Sequence, residues 1–271
     1  MDNPSSFLRF AIDVAKKAGK IQMSYFGNYG EISKKSTDID LVTKADIESE
    51  KFIIKKIQEV YPEHSILSEE RGELLSESEY LWVIDPLDGT TNFAHSLPIF
   101  AVSIALVKKD SETICGVVYN PAADKCFYSE KNKGSYLNKK EIKTSSSNTL
   151  NKSLLATGFP YVHDKYYDLS FSIFKDFYDR TQGVRRLGVA SLDLCFVAMG
   201  RFEGFYEFNL KPWDICAGAL IAKEAGAICS DWDSGPLPHS GKRILCANKE
   251  IHSKMANVLS QDKYKKFYDL K

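Results

Sequence analysis

Residues 82 to 93 read WVIDPLDGTTNF. An apolar stretch suited to a buried strand runs into Asp85 and Asp88, which straddle a proline, and then into Gly89-Thr90-Thr91-Asn92. A turn needs one Asp-Gly, not two acids followed by two threonines. A strand end built this way offers carboxylates on one side and backbone N–H donors on the other. Whatever surrounds it must tolerate both.

The 271 residues allow one large α/β unit or two intimate subdomains. Hydrophobic residues at 44% supply ample core material. Lys plus Arg and Asp plus Glu are both 36, so the formal net charge is zero. That argues against a dominant polyanion-binding role, because nucleic-acid affinity leans on surplus basic charge. None of the six cysteines lies in a C-x-x-C or at zinc-ligand spacing with histidine. They are expected as small core residues of a protein in a reducing compartment, the cytoplasm. No apolar run reaches about 18 residues, so no membrane span is expected. The N-terminus reads as a helix, with Asn3 as its cap, Pro4 as its first residue, and Leu8, Ala11, Ile12, Ala15 and Ala18 on one face.

Further along, residues 27 to 40 are polar and charged, and are expected as a hairpin or flap. A helix over 44–60 follows, with Ile47, Phe52, Ile53, Ile57 and Val60 as its apolar stripe. HSILSEE and YLWVID read as strands, and so do FAVSIALV, ICGVVY and KCFYSE. KTSSSNTLNK reads as a loop, dividing an N-terminal α+β part (1–147) from a C-terminal α/β part (148–271) within one compact catalytic unit. In the second part SLLATGF, FEGFYEF, ICSDW and RILCA are strands. Helices are expected over 165–180, at ASLDLCFVAMG, at PWDICAGALIAKEAGA and over 249–259. Tyr167, Phe171, Phe174 and Tyr178 form an aromatic stripe on the first of these, expected in the core or at a subunit interface.

Acids collect at element ends. Glu69 and Glu70 close one strand and Asp85 and Asp88 another, Asp46 opens a helix, and Asp214 follows Trp213 at a helix start. Taken singly, a helix-start aspartate is a cap and Glu-Glu after a strand is solvated. Together, if they converge beyond the carboxyl ends of strands where α/β ligands gather, their mutual repulsion calls for divalent cations. Oxygen donors without clustered His or Cys select Mg²⁺, with Mn²⁺ as a substitute. The Gly89-Thr90-Thr91 N–H groups make an anion site beside them. Cations flanked by such donors suit phosphate.

WVIDPLDGTTNF resembles the first signature of the inositol monophosphatase family of Mg²⁺-dependent, lithium-sensitive phosphatases. LKPWDICAGALIAKEAGA (210–227) resembles the second. DLVTKAD (40–46) and ILSEE (66–70) are similar to its two upstream acidic motifs, and GVVYNP, ATGFPY and RRLG stand in family order. The resemblance implies a layered α-β-α-β-α sandwich of the sugar-phosphatase type, a homodimer, and two or three Mg²⁺ ions. It implies that Glu69, Asp85 and the Leu87 carbonyl hold the first ion, that Asp85, Asp88 and Asp214 hold the second, and that Glu70 reaches a third through water. Asp46 and Thr90 match the pair that deprotonates the attacking water. Gly89 and Thr90 match the phosphate donors, and Glu207 the hydroxyl-binding glutamate. Gly188 and Ala190 stand where backbone lines the substrate ring, and Asp88 and Asp214 count among the substrate-binding residues as well. Val189 departs from the pattern, where a small polar residue is expected.

The function implied is phosphate monoester hydrolysis, with inositol 1-phosphate as first substrate. Fructose 1,6-bisphosphatase or dual-specificity sugar phosphatase activity of the same family is the alternative. DGTTNF argues against the branch acting on 3′-phosphoadenosine 5′-phosphate. A rival from another class is a transcription-complex or RNA-associated binding factor, with the arginines of DRTQGVRRLG in play. The full acidic set favours catalysis, because a binding protein has no need of clustered unpaired carboxylates.

Overall fold

The computed structural model describes residues 1, 3–28, 32–34, 41–109, 112–159, 166–237 and 241–269. In chain order the helices are α1 (Ser6–Tyr25), α2 (Lys44–Val60), α3 (Thr90–Ala94), α4 (Tyr167–Tyr178), α5 (Ala190–Ala198), α6 (Pro212–Glu224) and α7 (Lys249–Leu259). The strands of the first half are β1 (Ile32–Lys34), β2 (Leu41–Thr43), β3 (Ser65–Ser68), β4 (Gly72–Leu74), β5 (Tyr80–Asp88), β6 (Ala101–Lys108), β7 (Glu112–Asn120), β8 (Lys125–Glu130), β9 (Ser135–Leu137) and β10 (Lys140–Ile142). Those of the second half are β11 (Leu154–Thr157), β12 (Gly183–Arg185), β13 (Gly204–Phe208), β14 (Ala227–Ser230) and β15 (Arg243–Asn248).

Eight strands form one sheet in the order β10-β9-β8-β7-β6-β5-β3-β4, and five form another in the order β12-β11-β13-β15-β14. The burial pattern stacks them. Leu8, Val14, Ile53 and Ile57 of α1 and α2 pack on Trp82, Ile84, Ile104 and Val117 on one face of the large sheet. Its other face, through Val83, Ala105, Val118 and Phe127, meets α5 and α6. These two helices also meet Ala156, Phe205, Ile244 and Cys246 of the small sheet. The far face of the small sheet carries α4 and α7 through Ile173, Phe177, Ile251 and Met255. The order is α-β-α-β-α, as expected. A helix clasped between two sheets must be apolar all round, and α6 buries every residue from Ile215 to Ala222. Gly116 of β7 permits the close approach: a Cβ there would lie 2.9 Å from the Ala217 Cα.

Several expectations need correcting. Helix α1 is capped by Ser5, whose hydroxyl accepts the Leu8 N–H at 3.2 Å, and not by Asn3; Pro4 lies before the cap. Ile47 and Val60 are exposed. The face of α2 that turns inward carries Ala45, Ile53, Ile54 and Ile57 together with the polar Asp46, Ser49 and Glu50. The aromatic stripe of α4 is core only in part: Phe174 packs against the cluster of Ile173 and Phe177, while Phe171 and Tyr178 are exposed. Phe171 instead stacks on Phe159 with ring centroids 4.7 Å apart. The hairpin β9–β10 and the helix α3 went unread because each is too short to show a period. Of the expected flap, β1 pairs antiparallel with β2; residues 29–31 and 35–40, with Asp40 of the upstream acidic motif, lie outside the described residues, as do Pro160 and Tyr161. All six cysteines are free and buried. No helix among the described residues is long and apolar enough to cross a membrane.

Candidate active site

The site forms where β3 and β5 end and where α2, α3, α5 and α6 begin. β5 supplies its floor. Pairing with β6 runs in register to Asp85↔Ser103 and resumes at Asp88↔Ala101, so β5 spends one more residue than β6 and bulges at Pro86-Leu87. The bulge turns two carbonyls out of the ladder, and both find side chains. The Pro86 carbonyl accepts the amide of Gln22, a fully buried α1 residue, at 2.6 Å. The Leu87 carbonyl lies 3.1 Å from the Thr90 hydroxyl. The Leu87 N–H folds back onto Asp85 Oδ1 at 2.9 Å. Gly89 then adopts φ +95°, where a Cβ would strike Val189 at 2.7 Å. The chain enters α3 with no side chain capping its first N–H groups. Asn92 ties this turn to the segment before α5, donating to the carbonyls of Ile99 (2.9 Å) and Leu187 (2.8 Å).

Three aspartates stand at three helix starts, each held by a backbone N–H. Asp46 accepts the Thr43 N–H at 2.9 Å and the Thr43 hydroxyl through Oδ2, while Oδ1 accepts the Thr90 hydroxyl at 2.9 Å. Asp88 accepts the Ser191 N–H at 2.9 Å, with the Ala190 N–H also directed at it. Asp214 accepts the Lys211 N–H at 2.7 Å. Ser103, the strand partner of Asp85, donates to the Trp213 carbonyl at 3.2 Å and pins the start of α6 to the large sheet.

Electrostatics shows that these groups share one neighbourhood. Burial is the main cause of every shift. The Asp46 carboxyl rises to about 6, against hydrogen bonds from Thr43 and Thr90 and with help from Glu69. Asp88 rises to about 7 despite Ser191, with Glu69 adding repulsion. Asp85 rises well above the carboxylate range, with Glu69, Asp88 and Asp214 all repelling it. Asp214 rises too, through Asp88, Glu69 and Glu207 after burial. Glu207, on β13, reaches about 8, opposed by Arg186 and raised further by Asp88. Glu207 and Asp214 keep part of their surface accessible. Protein atoms nonetheless crowd around both carboxyls, which is why desolvation still dominates. The Glu207 carboxylate covers Gly158, where a Cβ would lie 2.0 Å from Oε1.

The structure therefore links Asp46, Glu69, Asp85, Asp88, Asp214 and Glu207 through a chain of Coulombic repulsions that runs from Asp46 by way of Glu69 to Asp88, Asp214 and Glu207, with Thr90, Leu87 and Gly89 beside them. Glu70 follows Glu69 in the same turn and is half-buried. Gly188 has φ +74° with the Arg186 guanidinium folded over it. Val189 is fully buried, and its side chain packs on Gly89 rather than lining the cleft. The N–H of Ala190 serves Asp88, a use the sequence did not suggest. Asp193 was missed. It is buried inside otherwise apolar α5, its Oδ1 has no hydrogen-bond partner among the described residues, and Glu207 and Asp88 repel it after burial. An acid in a helix apolar on all faces was the available signal. Gln22 and Glu50 were also missed, because both sit among ordinary helix-surface residue types.

The donor chemistry can be tested against divalent cations. Among the described residues no lysine, arginine or histidine makes an ion pair with Asp46, Asp85, Asp88, Asp214 or Glu207. Buried carboxylates without a positive partner are unfavourable, and an all-oxygen set fits Mg²⁺ or Mn²⁺. No three acidic, histidine or cysteine side chains among the described residues are drawn up as a finished coordination shell. The site is thus a gathering of like charges rather than a preformed cage.

Comparison with known proteins points the same way. The sequence pattern of the Inositol monophosphatase family matches residues 3–264. An inositol-1-monophosphatase of Synechocystis sp. is 42% identical over 256 residues, spanning 94% of this chain and 89% of the relative. A putative Nus factor SuhB of Neisseria meningitidis serogroup B is 42% identical over 258 residues, spanning 94% and 98%. The crystal structure of the extragenic suppressor protein suhB from Bartonella henselae superposes with a TM-score of 0.90 at 34% identity, covering 95% of this chain and all of that one (100%).

Proposed function

The chain belongs to the inositol monophosphatase family, and from that premise we propose that it is a Mg²⁺-dependent phosphate monoester hydrolase acting on a small phosphorylated polyol, with inositol 1-phosphate the first substrate to test. The observation that carries the reading is the convergence of Asp46, Glu69, Asp85, Asp88 and Asp214, four of them without a cationic partner among the described residues, beside the Thr90–Asp46 hydrogen bond. In this proposal Glu69, Asp85 and the Leu87 carbonyl would hold one ion, Asp85, Asp88 and Asp214 a second, and Glu70 a third through water. Bound Mg²⁺ supplies Lewis-acid charge at phosphoryl oxygens and lowers the pKa of water.

The remaining steps belong to side chains and backbone. With its proton turned toward Asp46, the Thr90 hydroxyl leaves a lone pair free to take a proton from the attacking water. Asp46, at about 6, is ionised at neutral pH and close enough to it to act as the general base behind Thr90. The N–H groups of Gly89 and Thr90, at the uncapped start of α3, donate to phosphate. Glu207 takes up a substrate hydroxyl, with Gly188 and Ala190 lining the ring. Covalent catalysis is not required, since water can be oriented directly. A homodimer is the state the resemblance implies, and the cytoplasm is the compartment the unpaired cysteines suggest.

Phosphate release from inositol 1-phosphate, fructose 1,6-bisphosphate, histidinol phosphate and NADP, with and without Mg²⁺ and repeated with lithium, tests the proposal. Mg²⁺-dependent release that Asp88→Asn abolishes supports it; no Mg²⁺-dependent release from any ester removes it. The SuhB relative's name as a putative Nus factor favours a second reading, a transcription-complex role. Pull-down from lysate with and without Mg²⁺ separates the two, because a binding role predicts capture of RNA polymerase or RNA by a protein that turns over no ester.

A further inference from the structure

Helix α2 brings more than Asp46 to the site. Glu50 follows it by four residues, on the same helical face, and is buried at 5% exposure. Its Oε1 accepts the N–H of Glu70 at 3.0 Å, the N–H of Arg71 at 3.0 Å and the hydroxyl of Ser68. Among the described residues Glu50 makes no ion pair. Three donors converge on that one oxygen instead. The donors flank Glu69 on both sides. Ser68 ends β3, and Glu69 makes the last rung to β5 through its N–H on the Ile84 carbonyl at 3.2 Å. Beyond that rung the chain turns, and Glu50 reaches across to hold the turn.

We propose that Glu50 is a positioning residue: it fixes the Ser68–Arg71 turn so that Glu69 and Glu70 present their carboxylates to the cleft. It thereby locks those acids to the same turn of helix that carries Asp46. One turn of α2 then sets the relation between the proton-accepting pair and the first ion's ligands. This rests on the reading that Glu69 and Glu70 hold divalent cations. Partners behind metal ligands are commonly worth 10–100-fold in metal affinity.

The test uses full-length protein and Mn²⁺ as the probe, with bound ion counted by electron paramagnetic resonance and melting followed separately in chelator. Glu50→Ala is expected to raise the Mn²⁺ dissociation constant by about 10-fold or more. The Mg²⁺ concentration for half-maximal phosphate release should rise in parallel, while the KM for inositol 1-phosphate at saturating Mg²⁺ stays close to wild type. Glu50→Gln keeps an acceptor oxygen for the two N–H groups and should recover most of the affinity. Where Glu50→Ala does not fold, Ser68→Ala, which removes one donor, is expected to show a smaller rise in the same direction. If wild type binds Mn²⁺ and the folded variants bind it equally well while melting lower, Glu50 is merely structural and the proposal is overturned. If wild type binds no Mn²⁺, the metal reading itself falls, and the positioning role with it.

Discussion

Thr90 offers the sharpest residue-scale prediction, because its hydroxyl touches both Asp46 and the Leu87 carbonyl. Replacing it with valine keeps the shape and deletes the donor to Asp46 Oδ1. Turnover at saturating Mg²⁺ should fall by about 10²- to 10⁴-fold, the usual worth of a general acid–base group, while Mn²⁺ affinity holds and the melting temperature drops modestly, because a buried Asp46 oxygen loses its donor. A Thr90→Val enzyme turning over at the wild-type rate would remove the relay. A second position acts through space alone. At Gly158 an added Cβ would fall 2.0–2.3 Å from the Glu207 carboxylate, so Gly158→Ala must turn Glu207 aside. Steady-state kinetics should show a raised KM for polyol phosphates, with a much smaller change for a simple ester such as p-nitrophenyl phosphate, which has no hydroxyl for Glu207 to hold. At this scale much was legible. Asp85, Asp88 and Gly89 could be read from their spacing, since two acids before Gly-Thr-Thr exceed what a turn needs. Gly158 could not, because its constraint comes from a residue 49 positions away.

Elements carry these residues, and their geometry decides what the sequence could not show. The bulge in β5 exists because Pro86 cannot donate to a ladder, yet its consequence, a stranded carbonyl, is met by Gln22 from a distant helix. Gln22→Leu removes that donor and also the unpaired Gln22 Oε1. Leaving a buried polar atom unsatisfied costs about 1–3 kcal/mol. One such atom is created and one abolished, so urea unfolding should shift by less than either alone. Helix α6 is more brittle. The Ala217 backbone passes 2.9–3.3 Å from where a Gly116 Cβ would lie, and backbone cannot swing aside as a side chain can. Gly116→Ala should therefore lower unfolding free energy by about 1–3 kcal/mol and displace the start of α6 with Asp214. An undiminished denaturation midpoint would show that the helix has room to move. The period of α2 was readable, but its inward polar face was not, since a stripe sought among apolar residues ignores Asp46, Ser49 and Glu50. The α4 aromatics were half legible: four aromatics at helical spacing look like core or interface, and the small sheet takes Phe174 along with Ile173 and Phe177 but leaves Phe171 and Tyr178 exposed.

At the scale of the whole molecule the layer order could not be derived from periodicity, because α5 and α6 are apolar on every face and give no direction to their burial; resemblance supplied it. What the layers do collectively is hold carboxylates together against their own repulsion, and that has a consequence for stability. In the metal-free protein burial pushes Asp46, Asp88 and Glu207 up to about 6, 7 and 8, above the ordinary carboxylate values of 3.8, 3.8 and 4.5. Asp85 and Asp214 are raised as well. Between about pH 4 and 8 the folded chain therefore retains protons that the unfolded chain has released. Unfolding releases them, so a rising pH favours the unfolded state. The stability contributed by these groups is whole below about pH 4 and drains away as pH climbs through 6, 7 and 8. Cations that take the place of those protons reverse the trend, because their binding strengthens as the carboxylates ionise. Melting in chelator should fall from pH 5 to pH 8, and added Mg²⁺ should raise the melting temperature far more at pH 8 than at pH 5. A chelated protein that melts higher at pH 8 than at pH 6, or a Mg²⁺ increment independent of pH, would mean that the gathered acids are neutralised by something other than protons and metal.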